Sequence, residues 1–209
     1  MPREKSAITP HRSKGRPRTF DRAAALNRAL DVFWRRGYEP ASVAELCMAM
    51  EVNPPSLYAA FGNKAQLFME AVHHYEKVYW DAAWQLLEEE PDLHRAMAGF
   101  FREAARILTS QDAPCGCMVV LGAANVSPDA QDVNDALKAL RREGKDCFRH
   151  RLRKGVEDAD LPSGTDVESL ALTLNTVFEG MSVQARDGAS QAELERIART
   201  AMALLPARS

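Results

Sequence analysis

No stretch of this 209-residue chain stays apolar for the roughly 18 residues that a membrane-spanning helix needs. The longest apolar run contains Met118-Val119-Val120-Leu121 and stops well short. No apolar segment follows the opening Met-Pro-Arg-Glu-Lys, so no secretory signal is expected. Four cysteines without such a signal point to free thiols in a reducing compartment, and the chain is expected to be cytoplasmic, with no membrane partner. There is no phosphate-cradling glycine loop, no two-histidine metal motif and no nucleophile–base constellation. Cys147 and His150 lie one helical turn apart but have no oxyanion element beside them. Catalytic residues, a cofactor and a metal are therefore not expected. Strand-like alternation, internal repeats and low-complexity tracts are missing too.

Hydrophobic residues make up 46% and charged ones 27%, the make-up of a chain that buries a core. A formal net charge of −2 hides an uneven distribution. Residues 1–64 hold 11 Lys/Arg against 6 Asp/Glu, a local +5, and the remainder carries −7. Much of the excess sits in Arg3, Lys5, Arg12, Lys14, Arg16, Arg18 and Arg22. A basic arm leading into a compact region is the footprint of a polyanion binder; a solvated tail has the same composition.

Residues 1–19, with Pro2, Pro10, Gly15 and Pro17, read as a basic flexible arm. Asp21 is a plausible N-cap, followed by Leu26, Ala29, Leu30, Phe33 and Trp34 on one helical face, with Gly37 as the stop. Ser42 and Glu45 have capping-box spacing for a short helix, and Asn53-Pro54 opens another that ends at Phe61. Asn63 begins a long helix to about Glu89. Beyond Pro91 helical periodicity recurs over 93–108, 129–158, 166–186 and 189–205, and 116–126 reads as a short helix apolar on all sides. The fold class expected is all-α, with about nine helices.

The turn at Met50-Glu51-Val52-Asn53 gives residues 20–65 the proportions of a three-helix helix-turn-helix DNA-binding domain. Here the chain resembles the TetR/AcrR family of transcriptional regulators. The likeness rests on Leu57-Tyr58-x-x-Phe61-x-x-Lys64-x-x-Leu67, on Gly15-Arg16-Pro17-Arg18-x-Phe20-Asp21 and on Phe33-Trp34-x-x-Gly37-Tyr38. Two positions depart from the family pattern: Glu51 replaces the usual turn glycine, and Cys47 fills a small position. A left-handed Glu51 costs about 1 kcal/mol. Cys47 is expected to pack as a small hydrophobe.

The resemblance implies that Ser42, Tyr58 and Lys64 contact phosphates of a double-stranded DNA operator. Asn53, Pro54, Pro55, Ser56 and Ala59 lead the reading helix, which has no Arg, Lys or Gln before Lys64, so bidentate guanine contacts are not expected from it. Arg16 and Arg18 suit a narrow minor groove.

Residues 66–209 are expected to form a ligand-binding and dimerisation domain for an unknown small-molecule effector. Trp80, Trp84, Phe100, Phe101, Met118 and Phe148 are the candidate pocket residues; as core packing they would look the same in sequence. Palindrome binding implies a homodimer. Its interface is expected along Leu170, Leu174, Val177, Phe178 and Met181, and along Leu194, Ile197, Ala201 and Leu205. The function expected is a ligand-responsive repressor. Two other readings stay open: a thiol- or metal-responsive regulator using Cys115 and Cys117, and a non-specific architectural DNA binder.

Overall fold

The computed structural model describes residues 20–207. Its α-helices are α1 (Arg22–Arg36), α2 (Val43–Met50), α3 (Pro54–Phe61), α4 (Lys64–Tyr75), α5 (Asp81–Glu89), α6 (Leu93–Leu108), α7 (Met118–Leu121), α8 (Gln131–Glu157), α9 (Val167–Arg186) and α10 (Gln191–Met202). A π-helical turn, Glu76–Trp80, joins α4 to α5 without a break. Counting that rod once gives nine α-helices and no strand among the described residues, the all-α architecture expected.

Local chemistry sets the ends of the first three helices. Asp21 accepts the Ala24 amide at 3.0 Å to start α1. Gly37, at φ 80°, ends it by donating to the Phe33 carbonyl at 2.7 Å. Glu51 does take the left-handed conformation, φ 56° and ψ 41°, so the turn keeps its shape without a glycine. Ser42 accepts the Glu45 amide at 3.1 Å, but the Glu45 carboxylate turns to Arg36 at 3.5 Å rather than closing the box. A complete capping box occurs instead at Asn63 and Gln66, at the head of α4.

Leu26, Leu30, Phe33 and Trp34 of α1 pack with Leu46, Cys47 and Met50 of α2 and with Leu57 and Phe61 of α3. Each such aliphatic or aromatic side chain contributes about 1.5–3 kcal/mol on burial. The second body is built around α6, whose Phe100, Phe101, Ala104 and Leu108 are fully buried. It packs against α5, α8, α9 and α10.

The segment 116–126 is not one helix. Only Met118–Leu121 is helical, because the backbone at both ends is drawn outward to other partners. Gly116, at φ 83°, makes the entry turn, a conformation that residues with a Cβ rarely adopt.

Candidate nucleic-acid interface and cavity

The turn between α2 and α3 puts α3 on the surface. Asn53 spends its Oδ1 on the Ser56 amide at 2.9 Å, and Pro54 follows at a position where no amide is needed. Pro54, Pro55, Ser56 and Ala59 are exposed and Leu57 is buried, so α3 presents one open face. Tyr58 is 47% exposed, an outward aromatic and not a core one. Ser42 is exposed at the start of α2 with its hydroxyl engaged as the cap. Arg16 and Arg18 lie outside the described residues.

Lys64, the first residue of α4, is half-buried. It donates to the Glu39 carbonyl at 3.2 Å and lies 4.4 Å from the centre of the Tyr38 ring. Burial lowers its pKa, opposed by the nearby Glu39 charge. Glu51 carries an acid to the turn before α3 and lies 3.4 Å from Arg28.

A cavity of about 180 Å³ opens between the α4–α5 rod, α7, α8 and α9. Trp80, Trp84 and Phe178 form its aromatic wall, with Glu76, Glu143 and Glu179 around it. Val119 and Val120 of α7 close one side. Of the expected pocket residues, Trp80 and Trp84 line it. Phe100, Phe101, Met118 and Phe148 do not; they are fully buried in the core behind. Phe100 and Phe148 stack edge-on at 5.0 Å, which fills the space a ligand would need. The acidic lining residues were missed in sequence because on three separate helices they form no motif.

The expected dimer stripe needs a similar correction. Leu174, Phe178, Met181, Leu194, Ala201 and Leu205 are buried within the subunit, and Phe178 faces the cavity. Leu170 and Val177 are half-buried, and only Ile197 is exposed. The face that α9 leaves open carries Leu172, Thr176 and Val183, and the turn after α10 adds Leu204.

Cys115 is exposed and Cys117 is buried, and both are free thiols. Burial pushes the Cys117 thiol up, the environment of an inert packing cysteine. Among the described residues no group of three His, Cys, Asp or Glu side chains is placed to hold a metal ion.

The cavity and the reading head share backbone. Entering α7, Gly116 accepts the Trp34 indole N–H at 2.8 Å. Leaving it, Gly122 accepts the Tyr38 amide at 2.7 Å. Arg186, the last residue of α9, donates to the Trp34 carbonyl at 3.0 Å and to the Cys115 carbonyl at 3.0 Å, tying the end of α1 to the same segment. One short helix thus forms a cavity wall and is bonded at both ends to the head.

Comparison with known proteins agrees with this layout. Residues 25–71 match the family described as bacterial regulatory proteins, tetR family, and residues 94–201 match the tetracyclin repressor-like C-terminal domain. The chain is 37% identical to the HTH-type transcriptional repressor ComR of Escherichia coli K12 over 93% of each chain. It is 31% identical to the repressor BdcR of the same organism over 88% of each. Among solved structures it is similar to the TetR family regulator CifR, in a cysteine-substituted form complexed with 26-bp double-strand operator DNA. That likeness is 45% identity and a TM-score of 0.87, over 92% of this chain and all of the other. With a helix-turn-helix head bonded to a helical body that encloses a cavity, the chain belongs to the TetR family of DNA-binding transcriptional regulators.

Proposed function

We propose that the chain is a homodimeric repressor that holds a palindromic operator and lets go when a small molecule fills the cavity. The shared segment supports this most directly: Val119 and Val120 face the cavity, and Gly116 and Gly122 on either side carry the bonds to Trp34 and Tyr38. A ligand that pushes α7 changes the carbonyls that fix the head, which gives the two states different ligand affinities.

On the DNA side, Ser42, Tyr58 and Lys64 hold phosphates while Asn53, Pro54, Pro55 and Ser56 face base edges. Readout by thymine methyls, small polar groups and duplex shape suits a face without arginine. Two copies meet through Leu172, Thr176 and Val183, on one stripe of α9, with Ile197 of α10 and Leu204 in the turn that follows it. The E. coli relatives, named as repressors, support the sign of the response.

The test is selection of duplexes by the full-length chain, followed by salt titration of the best sequence. Lys64→Ala is expected to weaken all duplexes alike and to lower the slope of log K against log salt by about 1. Equal affinity for every duplex would instead support an architectural binder.

A further inference from the structure

We propose that the cavity binds a small organic cation: an ammonium group on an apolar body of about one aromatic ring. The inference names the ligand class of the cavity, and its link to DNA release rests on the repressor reading above. At about 180 Å³ the space is close to the roughly 150 Å³ that holds a benzene ring. That volume suits a ligand body of about one ring.

The lining is electron-rich. Phe178 meets Trp80 edge-on at 5.2 Å between ring centres and Trp84 at 6.1 Å, so three aromatic rings converge. The faces of such rings attract cations, tryptophan most of all. Three carboxylates, on Glu76, Glu143 and Glu179, share the cavity with one basic residue, Arg141, which donates to the Val119 carbonyl at 2.8 Å. Glu179 accepts from Asn175 at 3.0 Å. Among the described residues, no hydrogen bond or ion pair holds the side chain of Glu76, which is partly buried, or of Glu143, which is exposed. The π-turn widens the helix where Glu76 and Trp80 enter the lining, and such turns frequently occur at functional sites.

An anionic ligand would face these carboxylates, and a neutral one would cover them without pairing them. Among the described residues no group of three His, Cys, Asp or Glu side chains is placed to hold a metal ion, and an organic ammonium is the cation that suits Glu76 beside an aromatic wall. Burial and the neighbouring Glu143 and Asp81 raise the Glu76 carboxyl to about 7, which fits a carboxylate without a cationic partner.

The experiment titrates the full-length protein with benzyltrimethylammonium, with its uncharged isostere neopentylbenzene and with phenylacetate, following tryptophan fluorescence. The ammonium is expected to bind at least about tenfold tighter than the isostere, and phenylacetate not at all. Glu76→Gln, nearly isosteric, should cost the ammonium about tenfold and leave the isostere unchanged. Glu143→Gln should act in the same direction, and thermal melts verify that each variant is folded. The proposal is overturned if the isostere binds as tightly as the ammonium, if neither binds, or if folded Glu76→Gln binds the ammonium like the parent. A parallel operator-release assay separates the two readings. Ammonium binding without release retains the cation site and removes the effector role; release by the isostere alone does the reverse.

Discussion

Trp34 and Gly116, 82 positions apart in sequence, are joined by one buried hydrogen bond of 2.8 Å from the indole N–H to the carbonyl oxygen. The indole also lies edge-on to Tyr75 at 4.6 Å and to Tyr79 at 4.9 Å. Trp34→Phe keeps an aromatic ring but leaves the Gly116 carbonyl unpaired and a small void. The expected loss of stability is about 2 kcal/mol by urea denaturation. Because the bond ties the head to the cavity wall, the same variant should also show a smaller change in operator affinity on ligand binding. An unaltered ligand response would remove this bond from the coupling route.

Glu51 is a point of backbone strain, at φ 56°. Its left-handed backbone costs about 1 kcal/mol relative to glycine, partly offset by the greater freedom of glycine in the unfolded chain. Glu51→Gly should therefore gain about 0.5 kcal/mol in thermal or urea melts. It also removes an acid beside the reading helix and releases Arg28, 3.4 Å away. Operator affinity should rise about fivefold, more at low salt. Weaker binding would give Glu51 a contact of its own with the DNA.

Glu76 makes stability depend on pH. Its carboxyl titrates at about 7 when folded, from an ordinary value of 4.5, because burial, Glu143 and Asp81 all disfavour the charge. The folded state thus binds more protons than the unfolded state between those values. Stability from this group is full below about 4.5 and is lost as pH rises through about 7. Allowing for solvent screening, the loss is on the order of 1–2 kcal/mol. Melts at about pH 5.5 and about 8.5 should show somewhat more than half of that fall in the parent, and Glu76→Gln should remove most of it.

Leu172, 57% exposed on α9, tests the pairing face. Leu172→Arg introduces charge repulsion between two copies and leaves the subunit core untouched. Light scattering should show a single subunit at micromolar concentration, and operator binding should fall by about 10² or more, because each head then binds alone. A dimer that survives would move the interface elsewhere.

How far the sequence was legible differs by element. The head was read nearly whole, because its turns and caps are local: Asp21, Gly37, Asn53 and the left-handed Glu51 act within four residues of themselves. Phe100, Phe101 and Phe148 were not separable from pocket residues, since periodicity reports which face is buried and not what it is buried against. The same ambiguity placed Leu174 and Met181 at an interface when they fill the subunit interior. The interruption of 116–126 had no local signal beyond its glycines, because the bonds that unwind it come from Trp34 and Tyr38. Glu76, Glu143 and Glu179 converge only through the packing of three helices.

The most direct test is fluorescence anisotropy of the full chain on its selected palindromic duplex, with the stoichiometry fixed by light scattering of the same complex. The account predicts an even number of chains per palindrome, a preference of about 10³ or more over a scrambled duplex, and steep weakening with salt. A single chain bound with no preference for the palindrome would contradict it.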